Sequence, residues 1–139
     1  MIIIGGGEFT EIIEKTNKNL ELFKIRGTRT NSGNYAGNNL KNILNIEIPS
    51  YNNQCLINWS HKFIKNFDHL KYAMEGVENI AKFMVKNPEL NYTYISSTSA
   101  NLSFNYKSLY GVYKFLSERI LKNISDDKKI SKFHSECNG

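Results

Sequence analysis

The sequence predicts an α/β fold with a mainly parallel sheet of about five strands flanked by helices, and three features indicate it. The chain opens with a β-branched run without a polar residue, Ile2 to Ile4, followed by three glycines. Uniformly apolar runs of this kind are typical of parallel strands buried on both faces. Two long amphipathic helical segments and further apolar runs then alternate along the chain. Such alternation predicts right-handed β-α-β crossovers.

The predicted elements follow the order β-α-β-loop-β-β-α-β-α. Residues 40–48 fit a strand, with a short helical segment as the alternative. The predicted strands are 1–4, 19–26, 40–48, 55–59 and a run from 91 to 95, and the predicted helices are 9–18, 67–86 and 107–123. We expect one domain over residues 1–124 and a polar C-terminal tail over 125–139, with at most one last helical turn at 130–133.

Composition excludes several classes of protein. The chain has 139 residues, of which 40% are hydrophobic and 22% charged, as is ordinary for one soluble domain. The net charge is +5, but the basic residues are scattered among acidic ones and form no basic stripe with interleaved aromatics. Nucleic-acid binding is therefore not expected. The two cysteines, Cys55 and Cys137, have no metal-ligand spacing and predict free thiols and no metal site. No apolar run approaches membrane-spanning length, and a cytoplasmic protein is the expectation.

A chemically suggestive pair lies on the second long helix. Tyr110 and Lys114 are four residues apart and therefore share one helical face. An ammonium beside a phenol favours the phenolate, which suits a general acid or base. A cluster of hydroxyls, including Ser97 and Thr98, follows the preceding strand. These side chains would reach the same substrate oxygen from the end of that strand.

This arrangement resembles the short-chain dehydrogenase/reductase superfamily, in which a Ser at the end of the fifth strand precedes Tyr-x-x-x-Lys on the next helix. Ser97 lies thirteen residues before Tyr110, with Thr98 as the second choice. The segments Ile95-Ser96-Ser97 and Lys114-x-x-x-Glu118 look most like the extended epimerases and dehydratases of nucleotide sugars. The resemblance implies a Rossmann-like fold truncated to the family's first half, without its sixth strand and substrate domain.

The glycine turn after the first strand is typical of dinucleotide binding, but its fingerprint is incomplete. Gly5, Gly6 and Gly7 supply the turn, whereas Glu8 and Glu11 stand where the family has its second and third glycines. Those glycines let the backbone approach the pyrophosphate at the helix N-terminus, and carboxylates there would repel it. Intact dinucleotide binding and a turn that has lost the cofactor both remain open.

Three further positions resemble the cofactor-binding side of the family. Arg26 and Arg29 follow the second strand where NAD-binding members carry an acid, which favours NADP over NAD, although solvated loop arginines are the alternative. Asn58 at the end of the fourth strand would line the adenine side. Trp59 and His61 replace small residues there, and Ala73 stands where many members have a relay Asn.

Two functions follow from the resemblance. The first is an NAD(P)-dependent oxidoreductase or nucleotide-sugar epimerase/dehydratase, with Tyr110 as acid/base, Lys114 lowering its pKa and holding the nicotinamide ribose, and Ser97 or Thr98 orienting a small-molecule or nucleotide-sugar substrate. The second is a non-catalytic Rossmann-like binding or interaction module. Under both, the family's four-helix interface predicts a homodimer through helices 67–86 and 107–123, with Tyr106, Leu109, Tyr113, Leu116 and Ile120 as its apolar contacts.

Overall fold

The computed structural model describes residues 1–5, 8–16, 23–25, 46–48, 53–59, 64–96, 108–127 and 132–137. Regular elements occupy most of these ranges. In chain order they are β1 (Ile2–Gly5), α1 (Glu8–Thr16), β2 (Phe23–Ile25), β3 (Gln54–Asn58), α2 (Phe67–Lys86), β4 (Asn91–Ser96), α3 (Leu109–Asp127) and β5 (Lys132–Cys137).

The strands form one parallel sheet in the order β2-β1-β3-β4-β5. This order, 2-1-3-4-5, is the doubly wound arrangement 3-2-1-4-5-6 without the strand numbered 3 in that arrangement. The sequence order reverses between β1 and β3, and ligands in open α/β sheets bind at the carboxyl ends of strands at such a switch point. The predicted Rossmann-like fold class is therefore confirmed.

Helices cover both faces of the sheet because every central strand is apolar on both sides. On one face, Ile2, Ile4, Ile57 and Tyr94 belong to the main core, which α2 and α3 cover. On the other face, Ile3, Leu56 and Ile95 form a smaller cluster against which Ile13 of α1 packs. Burial on two faces explains why these strands carry uniform apolar runs rather than alternating ones.

The helix α2 has the predicted bounds, since local signals fix both of its ends. Asn66 caps the N-terminus by accepting a hydrogen bond from the His69 backbone N–H at 2.9 Å. At the other end the Asn87 backbone N–H donates to the Phe83 and Met84 carbonyls, and Pro88 follows. Proline cannot continue the ladder and disfavours helical backbone in the residue before it.

The turn after β1 depends on Gly5 for a reason internal to the sheet. Gly5 has a φ of +113°, and a Cβ at this position would lie 2.0 Å from the backbone carbonyl oxygen of Asn58. Only glycine tolerates both the backbone conformation and the close approach of β3. This glycine therefore lets the carboxyl ends of β1 and β3 come together at the switch point.

The prediction of a polar tail without a further strand is wrong. The helix α3 continues to Asp127, with Ser125 only 3% exposed, and β5 then pairs with β4 along its whole length. The expected helical turn at 130–133 gives way to this strand from Lys132 onward. The resemblance implied that the family's sixth strand is missing, but β5 lies at the corresponding edge of the sheet, beside β4. The described sheet nevertheless has five strands, because one predicted strand is not observed in its described part.

That strand is the one predicted at 40–48. Residues 46–48 belong to neither a helix nor a strand, although Ile46 is buried in the main core. Residues 40–45 lie outside the described part of the chain, as do parts of the predicted strand at 19–26. In the ranges that the structure describes, no helix combines the length and the apolar character needed to cross a membrane.

The apolar residues proposed for a dimer interface are mostly used inside the chain. Tyr113 is fully buried, and Leu109 and Ile120 pack against the main core. Leu116 is exposed, and Tyr106 lies outside the described residues. The solvent side of α2 carries charged residues, including the exposed ion pair of Glu78 with Lys82. The homodimer stays a prediction; among the described residues named for its interface, Tyr113 is not available to it and Leu109 and Ile120 are available only in part.

Candidate active site

The ammonium of Lys114 lies at the carboxyl ends of β3 and β4. Its Nζ donates to the Ile95 carbonyl at 2.9 Å and to the Trp59 carbonyl at 3.4 Å. The residue is 2% exposed, although lysine is almost never buried without partners. The sequence predicted Lys114 at the site, and the structure places it where ligands of parallel α/β sheets bind.

Burial sets the charge state of Lys114. Removal from water lowers its pKa from 10.5 to about 8, and the negative charge of Glu118 opposes this shift. The Nζ also lies 4.6 Å from the centre of the Tyr94 ring and 5.7 Å from that of Tyr113, so two aromatic faces favour the cation. Near neutral pH the side chain is still mostly an ammonium.

The carbonyl of Trp59 accepts a second hydrogen bond, from Tyr113. The Tyr113 hydroxyl donates to it at 2.7 Å, and burial raises the pKa of this phenol well above its ordinary value. Tyr113 is therefore a neutral donor that fixes the segment after β3. The sequence indicated Tyr113 as a contact of a dimer interface and gave no sign of a role for the Trp59 backbone, because a carbonyl acceptor leaves no trace in residue type.

The indole of Trp59 packs against α2. Its Nε1 donates to the Ala73 carbonyl at 3.0 Å, and a Cβ on Gly76 would lie 2.4 Å from the ring. Gly76 thus makes room for the indole on the helix surface. Trp59 replaces a small residue of the related family, and the described contacts of its ring are with the helix α2.

Tyr110 lies one turn before Lys114 at the start of α3. It is half-buried, its ring packs against the main core, and its centroid lies 6.2 Å from that of Tyr113 at a tilt of 54°. The helix therefore carries a more accessible tyrosine one turn before the buried Lys114, as the four-residue spacing predicted. Of the two tyrosines in this turn, Tyr110 is the one that solvent reaches.

The end of β4 is tied to α3 by a hydrogen bond between side chains. The Ser96 hydroxyl, in a residue 2% exposed, donates to Oε2 of Glu118 at 2.7 Å. Ser97 and Thr98, the predicted substrate-orienting hydroxyls, follow directly but lie outside the described residues. Ser96 and Glu118 were visible in the sequence as parts of the family-like segments, yet their contact was not foreseen.

A buried hydroxyl lies beneath Lys114. Among the described residues, Tyr94 Oη has no hydrogen-bond partner of normal geometry, although the nearby Ser117 hydroxyl acts to lower its pKa. Burial dominates and raises the pKa of Tyr94, so this phenol stays neutral. Ser117 itself donates to the Tyr113 carbonyl at 2.6 Å. Tyr94 therefore serves Lys114 through its ring face rather than its hydroxyl.

The predicted cofactor-binding residues are only partly described. Gly5 and Asn58 meet at the switch point, and Asn58 is 9% exposed at the end of β3. The need for glycine at position 5 is accounted for by the Asn58 carbonyl, so this residue is not in itself evidence for a phosphate site. Gly6, Gly7, Arg26 and Arg29 lie outside the described part of the chain.

The donor set of Lys114 is of the kind that could hold a ribose hydroxyl of a dinucleotide. A lysine ammonium has three N–H donors, and the described bonds to Ile95 and Trp59 use two of them. Among the described residues, these bonds leave the third donor unused at the edge of the sheet where ligands of such folds bind. At the pyrophosphate end, Glu11 is exposed in α1, and the two remaining glycines of the turn are not described.

Together these features define a Rossmann-like α/β domain with a Tyr-Lys pair at the carboxyl edge of its sheet. Solved structures share this fold. A short-chain dehydrogenase/reductase from Vibrio parahaemolyticus matches with a TM-score of 0.69 at 15% identity, over 99% of this chain and 76% of the other. A UDP-N-acetylglucosamine 4-epimerase from Bacillus cereus matches with a TM-score of 0.65 at 18% identity, over 96% of this chain and 51% of the other.

A third structure, Pen from Bacillus thuringiensis, matches with a TM-score of 0.59 at 13% identity, over 98% of this chain and 41% of the other. The chain therefore spans about half or less of two of these proteins and about three quarters of the first. No protein-family model and no curated protein matches the sequence. At these identities the likeness establishes the fold, and the chemistry has to be argued from the residues.

Proposed function

We propose that this protein is an NAD(P)-dependent oxidoreductase or nucleotide-sugar epimerase/dehydratase of the short-chain dehydrogenase/reductase type. The observation that carries the proposal is the position of Lys114: a buried ammonium anchored at the ends of β3 and β4, one helical turn after the accessible Tyr110. The solved epimerase and dehydrogenase with the same fold support this class of activity.

Tyr110 would act as the general acid or base. In the reducing direction it gives its phenolic proton to a substrate carbonyl oxygen, and in the oxidising direction it accepts a proton from the substrate hydroxyl. The bound nicotinamide would supply hydride transfer to or from the adjacent carbon. Lys114 would stabilise the phenolate of Tyr110 and hold the nicotinamide ribose, and Ser97 or Thr98 would orient the substrate oxygen.

The acid/base role is tested with Tyr110→Phe, which removes one oxygen. We expect the wild type to bind NADPH or NADH with micromolar affinity in calorimetric titration and the variant to bind comparably. With UDP-N-acetylglucosamine or UDP-glucose as substrate, followed by NMR of the sugar, turnover of the variant falls by about 10² to 10⁴-fold.

The matched control is Tyr72→Phe on α2, a half-buried tyrosine outside the site. This variant keeps wild-type turnover. Absence of any dinucleotide binding at millimolar concentration would overturn the proposal and leave the non-catalytic module. Equal loss of turnover in both tyrosine variants would remove Tyr110 from the acid/base role.

We also propose that the protein is a homodimer through α2 and α3. Because Tyr113 is in the core and Leu109 and Ile120 are only partly exposed, the exposed apolar residues left to the described part of this interface are Phe67 and Val85 of α2 and Leu116 of α3. Light scattering after size exclusion tests this: a dimer that Leu116→Asp converts to a monomer is expected. A wild-type monomer at all concentrations contradicts it.

A further inference from the structure

The hydrogen bond between Ser96 and Glu118 joins two parts of the candidate site. Ser96 is the last residue of β4 and directly precedes Ser97 and Thr98, while Glu118 lies one helical turn after Lys114. The contact of 2.7 Å is short, as expected when a hydroxyl donates to a carboxylate. It therefore fixes the end of the strand against the helix that carries Tyr110 and Lys114.

Glu118 also acts on Lys114 through its charge. The ammonium faces the rings of Tyr94 from β4 and Tyr113 from α3, and Tyr110 lies one turn before it. The pKa values of Tyr94 and Tyr113 are raised, so both phenols are neutral when Lys114 titrates. Among the described groups, the carboxylate of Glu118 is the one charge that favours the protonated Lys114.

We propose that Glu118 is a positioning residue of the candidate site: it ties the end of β4 to α3 through Ser96 and places a carboxylate one helical turn after Lys114. The catalytic meaning of this role rests on the proposed function. The hydrogen bond to Ser96 and the effect of the Glu118 charge on Lys114 do not depend on that function. Without the carboxylate, only the two aromatic faces and the two carbonyl acceptors would oppose the desolvation of Lys114, and the ammonium would lose its proton at a lower pH.

The test is an NMR titration of the Lys114 side chain in the full-length protein, labelled with carbon-13 and assigned by the signal missing in Lys114→Met. In the wild type we expect a midpoint of about 8. Glu118→Gln keeps the shape of the side chain but removes its charge, and it lowers the midpoint by about one pH unit. Glu118→Asp restores part of the loss.

A matched control is Glu78→Gln on α2, which removes a carboxylate that pairs with Lys82 and is 64% exposed. It leaves the Lys114 midpoint unchanged. A Glu118→Gln midpoint equal to that of the wild type would overturn the electrostatic role. Should this variant not fold, Ser96→Ala decides: release of the carboxylate lowers the midpoint by a smaller amount, and an unchanged midpoint overturns the proposal.

The outcome is separable from that of the proposed function, since the titration needs no cofactor or substrate. If no dinucleotide binds and Glu118→Gln still lowers the midpoint, the proposed function fails and the coupling of Glu118 to Lys114 stands. If dinucleotide binds, the pH above which binding weakens moves down in Glu118→Gln and not in Glu78→Gln. A role confined to folding would leave that pH unchanged.

Discussion

The buried Lys114 makes the stability of the fold depend on pH in a defined direction. Its pKa of about 8 lies below the ordinary 10.5, which the side chain regains on unfolding. Between these two values the unfolded chain binds more protons, so the free energy of unfolding rises with pH. At about 1.4 kcal/mol per pH unit, Lys114 destabilises the folded state at neutral pH by about 3 kcal/mol relative to alkaline pH.

Other buried groups act in the opposite direction at higher pH. Burial raises the pKa values of the Cys55 thiol and of Tyr92, Tyr94 and Tyr113. Since these groups ionise more readily when unfolded, their contribution to stability is lost as pH rises beyond 9.0 for the thiol and 10.0 for the phenols. The net rise due to Lys114 is therefore best seen between neutrality and about pH 9.

The assay is urea denaturation of the wild type and Lys114→Met at a series of pH values. Methionine keeps an apolar stem of similar length, and subtraction of the two curves cancels the thiol and phenol contributions. Between about pH 7 and pH 9 we expect the free energy of unfolding of the wild type to rise by about 1 kcal/mol more than that of the variant. The exposed Lys122→Met on the same helix serves as the control and shows no such gain.

Parallel curves for wild type and Lys114→Met over this range would refute the reasoning. They would mean that Lys114 keeps an ordinary pKa in the folded protein, and hence that water reaches its ammonium. The bonds to the carbonyls of Ile95 and Trp59 would then not be those of a desolvated group.

Three further substitutions test the packing that positions the site. Gly5→Ala combines backbone strain with a clash against the Asn58 carbonyl and lowers the free energy of unfolding by about 2 to 5 kcal/mol in denaturant titration; a loss below about 1 kcal/mol contradicts the close approach. Gly76→Ala lowers the free energy of unfolding by about 1 to 2 kcal/mol, although alanine favours helix, because its Cβ meets the Trp59 ring. Trp59→Phe relieves this clash, so a double-mutant cycle that shows no coupling between the two positions refutes the indole contact. Tyr113→Phe costs about 1 kcal/mol for the lost bond to the Trp59 carbonyl, and an unchanged unfolding midpoint speaks against that bond.

The parts of the fold that could be predicted carried local signals. The helix α2 has Asn66 at one end and Asn87-Pro88 at the other, and β1 and β3 are short apolar runs. The strand β5, with the sequence KFHSEC, has no such run, and its place is set by pairing with β4. Such pairing is a long-range effect that a local pattern does not record.

The candidate site divides in the same way. The four-residue spacing of Tyr110 and Lys114 was sufficient to place them on one helical face. The acceptors of Lys114 are backbone carbonyls of Ile95 and Trp59, at the ends of two strands far from it in sequence. Their convergence follows from the sheet order, which residue types alone do not specify.

The most direct test of the central claim is a calorimetric titration of NADPH into the wild type, Lys114→Met and Lys122→Met. If Lys114 donates a charged hydrogen bond to the nicotinamide ribose, its loss weakens binding by about 10- to 150-fold. Lys122→Met, which removes an exposed charge from the same helix, binds within about twofold of the wild type. Equal affinity of Lys114→Met and the wild type, or no binding by the wild type at millimolar NADPH, would contradict the assignment of this edge of the sheet as a dinucleotide site.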